Sequence, residues 1–143
     1  MTAFRNALAS TFLLGALLAS GQAVASGEAE ACIQTKTWSH YDSGWALRTS
    51  TTASIEVGKF NSFSATLYGG RKYLVELCGD ATAEQVDLVF YDRTGKELHR
   101  AKTNGREPML EYSPEKTQGV FIVAHLRSAQ GPSAEVALAI LHQ

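Results

Sequence analysis

Apolar and polar side chains alternate along much of the chain from Phe60 onward, and this alternation limits the possible folds more than any other feature of the sequence. In the first such segment the apolar positions are Phe63, Ala65 and Leu67. A repeat of two places alternate side chains on opposite faces of a β-strand, whereas a helix requires a repeat near 3.6. The sequence therefore predicts strands that turn one apolar face towards a core.

Turn signals separate the strand-like segments at intervals of about 8 to 12 residues. They are rich in glycine, aspartate, asparagine and proline, and they occur at Gly69-Gly70, Asp92–Gly95, Asn104-Gly105 and Gln130–Pro132. Short strands joined in this way are typical of an antiparallel β-sandwich or barrel. We predict a mainly all-β, antiparallel fold with a jelly-roll-like architecture.

Three segments carry more specific predictions. Gly69-Gly70 predicts a tight hairpin between the strands on either side of it. Residues 120–126 are almost all apolar, which is typical of a central strand covered on both faces. Residues 134–141 have the composition of a buried helix or a strand, but their short length and the preceding Gly-Pro favour a strand.

The pattern is different before Phe60. Ala29, Cys32 and Ile33 fall on one side of a helix, so we predict a short helix from Glu28 to about His40. Residues 45–57 are rich in threonine and serine and predict one strand or two.

The first 25 residues have the three parts of a secretory signal peptide. Arg5 supplies the positive charge, residues 7–19 form an apolar run, and Ala23-Val24-Ala25 supplies small residues for cleavage. The apolar run is about 13 residues long, short of the ~20 that a membrane-spanning helix needs. We predict a signal peptide over residues 1–25 and a single domain over residues 26–143, located in the bacterial periplasm or secreted.

Two cysteines, Cys32 and Cys78, follow the predicted signal peptide. Export places them in an oxidising space, where such a pair tends to close. Their spacing is neither that of a C-x-x-C redox pair nor that of a four-ligand zinc site. We therefore predict a structural disulfide between Cys32 and Cys78.

The order of these signals resembles the bacterial pre-peptidase C-terminal domain. The resemblance covers residues 60–141 and is carried by Phe63–Asp80, Val86–Gly95, Tyr112–Pro114 and Gln118–Val123. The chain departs from the family pattern at Val86, where the family often has the first of two acids, and at Phe121, where it has tyrosine.

This resemblance implies a β-sandwich of about eight strands with a binding or packing role and no chemistry of its own. Members of the family are usually modules attached to secreted peptidases, and this chain has no room for a catalytic domain beside the module. We therefore expect a stand-alone exported version, to which the helix and Cys32 are additions.

Charge and motifs narrow the possible functions. Thirteen Lys and Arg against 14 Asp and Glu give a formal charge of −1, too balanced for a protein that binds nucleic acid by neutralising many phosphates. The four histidines lack metal-binding spacing, and the G-x-S-x-G motif of serine hydrolases does not occur. We predict that the protein is not an enzyme and binds no nucleic acid.

Three aspartates, Asp80, Asp87 and Asp92, lie at or beside predicted strand ends. Carboxylates at such positions can supply oxygen ligands to calcium, as the resemblance implies for some members of the fold. The alternative is that each aspartate accepts hydrogen bonds from the backbone of its own turn. Calcium is the only cofactor that the sequence suggests.

A basic cluster follows Asp92. It consists of Arg93, Lys96, Arg100, Lys102 and Arg106, with Glu97 as the single acid among them. On a hairpin such a cluster can contact an anionic surface such as lipopolysaccharide or an acidic polysaccharide. The alternative is that the positive charges protect a strand edge from pairing with other chains.

An aromatic cluster stands near the predicted helix, at Trp38, Tyr41 and Trp45. It could form a platform for a sugar or a protein, or it could cap the open end of a small core.

Together these features favour a non-enzymatic exported binding or accessory module that contacts a glycan, an anionic surface or a protein. The alternative is a small exported inhibitor or envelope-stress protein that acts on a partner enzyme.

Overall fold

The computed structural model describes residues 27–102 and 104–143, and the predicted signal peptide lies outside them. In these residues the chain forms one helix followed by eight strands. Their bounds are α1 Glu28–Tyr41, β1 Ala46–Glu56, β2 Phe60–Leu67, β3 Tyr73–Gly79, β4 Ala83–Asp92, β5 Glu97–Arg100, β6 Met109–Tyr112, β7 Gln118–Ala129 and β8 Ser133–His142.

The strands form two four-stranded sheets, with the order β1-β8-β3-β6 in the first and β2-β7-β4-β5 in the second. All the pairings are antiparallel. The inner faces of the sheets enclose a core whose largest fully buried side chains include Tyr73, Leu77 and Phe90. Phe90 and Tyr112 meet edge to face across this core, with ring centroids 5.5 Å apart. The predicted eight-stranded antiparallel β-sandwich is therefore confirmed.

The helix covers the outer face of the first sheet. Ala29 and Ile33 pack on Leu74, Ala139 and Leu141, which point away from the main core. As a result β3 is buried on both faces, and β8 is buried over most of its length. The first sheet is thus the middle layer of three.

Cys32 and Cys78 form the predicted disulfide, which joins the helix to β3. Close to it, the carboxylate of Glu76 is buried under the helix, and one of its oxygens lies 2.9 Å from Nε2 of His40. The other carboxylate oxygen has no hydrogen-bond partner among the described residues. The helix is therefore held by a covalent bond, an apolar contact and a polar contact.

The hairpin predicted at Gly69-Gly70 is wrong. β2 pairs with β7 and β3 pairs with β8 and β6, so the two glycines carry the chain from one sheet to the other. A Cβ on Gly69 would lie 2.7 Å from the carbonyl oxygen of Glu115, and Gly70 has a φ of 79°. Glycine is needed here for a close crossing between sheets rather than for a two-residue turn.

The prediction for residues 120–126 is wrong in part. They lie in β7, which is central in the second sheet, but buried and half-buried positions alternate along the strand. The strands covered on both faces are instead β3 and β8, because the helix lies over the first sheet. Among the described residues, no helix is long and apolar enough to cross a membrane.

The disulfide gives a test of how the helix is held. Replacing both cysteines, as Cys32→Ser with Cys78→Ala, should lower the free energy of unfolding by about 2 to 4 kcal/mol, because the bond closes a long loop in the unfolded chain. Urea denaturation followed by circular dichroism measures this change. Reduction of the wild-type protein should give the same loss, and equal stability of oxidised and reduced protein would contradict the prediction.

Candidate functional site

The outer face of the second sheet carries aromatic side chains and is not covered by any described element. We call this surface the open face and define it by Phe60, Tyr91, Phe121, Val123 and His125. Strand register brings them together, because Phe60 is paired with His125 and Tyr91 with Phe121. They line a cavity of about 340 Å³, and Phe60 is 65% exposed.

Arginine lies at the edge of the open face. Arg93, in the turn between β4 and β5, places its guanidinium 5.3 Å from the ring centroid of Phe121. That distance suits a cation–π contact. No ion pair joins Arg93 to an acid within residues 27–102 and 104–143. The turn therefore presents a guanidinium group without an ion-pair partner among the described residues, beside an exposed aromatic surface.

The predicted basic cluster is divided in the structure. Arg93, Lys96 and Arg100 lie on the β4–β5 hairpin, whereas Lys102 and Arg106 follow it in the loop to β6. A nitrogen of Arg100 lies 2.7 Å from a carboxylate oxygen of Glu97.

Arg106 donates a hydrogen bond to the backbone carbonyl of Asp80. Arg100 and Arg106 are thus partly engaged within the protein. Arg93 and Lys96 carry the charge that faces solvent at the turn.

The three aspartates of the predicted calcium site each have their own hydrogen-bond partners. Asp80 accepts hydrogen bonds from the backbone N–H groups of Thr82, Ala83 and Glu135. Asp92 accepts them from Thr94 and Lys96 in the β4–β5 turn.

Asp87 lies on the outer face of β4 and binds Arg127, with a nitrogen-to-oxygen distance of 2.6 Å. Within the described residues these three carboxylates do not form one group of metal-ligating side chains. Calcium binding stays a prediction.

Burial and hydrogen bonding act in opposite directions on these carboxyl groups. Burial raises the pKa of Asp80, but the hydrogen bonds from Thr82, Glu135 and Ala83 outweigh it, so the pKa lies below its ordinary value. The pKa of Asp87 is also lowered, because Arg127, Gln85 and Arg100 outweigh burial. Both groups therefore favour the charged form in the folded protein.

In the part of the chain that the structure describes, one cluster has the composition of a metal site, namely Cys32, Cys78 and Glu107. Its two sulfur atoms are joined in the disulfide. Metal coordination by cysteine uses the thiolate, which the disulfide removes. In the oxidised protein this cluster is structural.

The aromatic cluster near the helix is split. Trp38 and Tyr41 contact edge to face on the outer surface of the helix, with ring centroids 5.2 Å apart. They line a groove of about 400 Å³ with Leu47, and Trp38 is 70% exposed. Trp45 instead packs on the residues beneath the helix. Trp45 thus contributes to the packing beneath the helix, as the cap interpretation expects. A platform formed by Trp38 and Tyr41 stays a prediction.

The sequence did not identify the open face. Phe60, Tyr91 and Phe121 lie on strands that were correctly predicted, but the alternation of side chains does not tell which face of a sheet is covered. The sequence did contain one indication, because Ser62 and Ser64 place polar side chains on the outer side of β2 and so favour solvent exposure of that side. The position of the helix decides which sheet face is covered, and the helix lies on the first sheet.

Comparison with solved structures identifies the fold. The structure is similar to PliG from Aeromonas hydrophila, a periplasmic lysozyme inhibitor of g-type lysozyme, with a TM-score of 0.53 and 12% identity over 66% of this chain and 85% of that one. It is also similar to the pre-peptidase C-terminal domain of a collagenase from Bacillus anthracis, with a TM-score of 0.54 and 10% identity over 66% of this chain and 89% of that one. No protein-family model matches the sequence, and the search of curated proteins found no match. The chain thus has the fold of a pre-peptidase C-terminal domain, as the resemblance implied.

The hydrogen bonds to Asp80 lead to a pH-dependent prediction. At neutral pH, Asp80→Asn should lower the free energy of unfolding by about 1 to 3 kcal/mol, because the amide cannot accept all of these bonds. The lowered pKa stabilises the folded state above the unfolded value of 3.8, and this contribution is lost as the pH falls through the folded pKa.

The difference between wild type and variant should therefore shrink below about pH 4. Chemical denaturation at a series of pH values measures it. Asp42→Asn, at an exposed position, controls for the change in charge. A difference that stays constant down to low pH would contradict the prediction.

Proposed function

We propose that this chain is a non-enzymatic, exported binding protein that contacts an anionic surface through the open face and the β4–β5 turn. The observation that carries the proposal is the guanidinium of Arg93 over the ring of Phe121, at the edge of an uncovered aromatic surface. Aromatic residues and arginine are enriched where proteins bind partners. The disulfide supports an oxidising location, which export provides.

The charge distribution supports an anionic partner. The protein as a whole is close to neutral, so its attraction to an anionic surface must come from a local cluster. Arg93 and Lys96 provide one at the turn.

A charge reversal tests this proposal. Arg93→Glu should lower the salt concentration at which the protein elutes from immobilised dextran sulfate, a polyanion without carboxylates, and it should leave the melting temperature nearly unchanged. Exposed charges contribute only about 0 to 1 kcal/mol to stability. Retention of the wild type should weaken above about 0.15 M salt, where the Debye length is roughly 8 Å.

Lys72→Glu is the matched control, because it changes the net charge by the same amount and lies in the β2–β3 connection, outside the open face and the β4–β5 turn. It should elute as the wild type does. The proposal is wrong if the wild type is not retained at low salt, or if both variants lose retention equally.

A second candidate function is inhibition of a partner enzyme. It is favoured by the shared fold with PliG, of which 85% is covered, since that protein is a periplasmic lysozyme inhibitor. If this chain acts in the same way, adding it to g-type lysozyme should slow the lysis of bacterial cell walls. An unchanged rate of lysis at a large molar excess of the protein would exclude that enzyme as the partner.

A further inference from the structure

Another cavity lies at one end of the sandwich and shares no lining residue with the open face. It has a volume of about 360 Å³ and is lined by Arg48, Tyr68, Arg71, Tyr73 and His142. Small-molecule sites in proteins are commonly about 300 to 1,000 Å³. The cavity is therefore large enough for a ligand of monosaccharide size.

An irregularity in β1 directs Arg48 into this cavity. Leu47 is paired with Leu141 and Thr49 with Ile140, so that Arg48 is an extra residue between two paired positions. Such bulges redirect a side chain and are common beside binding sites. Here the guanidinium reaches the second sheet and donates a hydrogen bond of 2.7 Å to the carbonyl oxygen of Thr66.

The cavity is positively charged. Arg48 and Arg71 line it together with His142, and none of the five lining residues is acidic. Neither arginine forms an ion pair with an acid in the part of the chain that the structure describes. Arginine binds carboxylates through two parallel hydrogen bonds, so a pair of guanidinium groups without acids selects an anion.

The two tyrosines that line the cavity, Tyr68 and Tyr73, favour a ligand with a ring that carries polar groups. Tyr68 is 52% exposed, and its ring centroid lies 5.9 Å from the guanidinium carbon of Arg48. Tyr73 is buried, and its phenol oxygen accepts a hydrogen bond from the backbone N–H of Tyr68. That arrangement leaves the Tyr73 O–H as a donor, while the exposed ring of Tyr68 offers an apolar surface with a polar tip.

We infer that this cavity binds a carboxylate-bearing sugar unit of the uronic acid type. The carboxylate binds Arg48 and Arg71, and the sugar ring packs on Tyr68. This site is separate from the open face and the β4–β5 turn, because different residues line it. It recognises a single carboxylate, whereas the open face and the turn contact an extended anionic surface.

Titration of the purified protein with glucuronate, followed by the backbone amide signals of residues 48, 68 and 71, tests the inference. Glucuronate should shift these signals and saturate in the millimolar range or below, whereas glucose, which lacks the carboxylate, should leave them unchanged. Acetate, which lacks the ring, should bind at least about tenfold more weakly.

Arg71→Gln should weaken glucuronate binding at least about tenfold with little change in melting temperature, because Arg71 is exposed. Lys72→Gln is the matched neighbour and should bind as the wild type does. Arg93→Glu should leave glucuronate binding intact, which separates this site from the open face.

The inference is overturned by either of two results. One is the absence of any shift at about 20 mM glucuronate in the wild-type protein, which corresponds to binding too weak to count as a site. The other is an equal response to glucose and glucuronate, which would show that the two arginines do not recognise the carboxylate.

Discussion

The structure depends on the packing of one helix against one sheet. Ile33 and Ala29 bury the outer side of β3 and β8, and the disulfide fixes the helix to β3. This contact makes the first sheet an interior layer and leaves the second sheet with a face open to solvent. The exposed aromatic surface of the open face follows from that asymmetry, because no described element covers the outer side of the second sheet.

The same contact encloses an acid. Glu76 stands on the outer side of β3, where the neighbouring residues Leu74 and Cys78 are apolar, and the helix buries its carboxylate. His40, in the last turn of the helix, supplies the partner at 2.9 Å. A buried carboxylate without a partner is strongly unfavourable, so the folded protein favours the helix position that brings His40 to Glu76.

Much of the fold could be predicted from the sequence, because strand alternation and turn residues are local signals. The helix from Glu28, the strand at residues 134–141 and the antiparallel sandwich were all predicted correctly. The connection at Gly69-Gly70 was not, because a glycine pair permits a crossing between sheets as readily as a hairpin, and the choice depends on β7 and β8. The pairing of strands that are distant in the sequence cannot be predicted from the residues of one short segment.

The candidate sites were predicted less well for the same reason. Arg93 was identified by its charge, but its position over Phe121 requires the β4–β7 register. Arg48 gave no signal at all, since it becomes a cavity residue only through a bulge opposite β8. Sequence can nominate residue types for a site, whereas the pairing of distant strands decides which of them meet.

The strand order has a consequence for how the chain reaches this structure. β1 is paired with β8 and β2 with β7, so the first two strands gain their neighbours only from the last two. Folds with such distant pairings form slowly, because a long loop must close before the contacts compensate for it. Until β7 and β8 are available, the earlier strands have no complete sheet to join. For a chain exported as proposed, this delay favours an extended form during passage across the membrane and folding only on the far side, where the disulfide can also close.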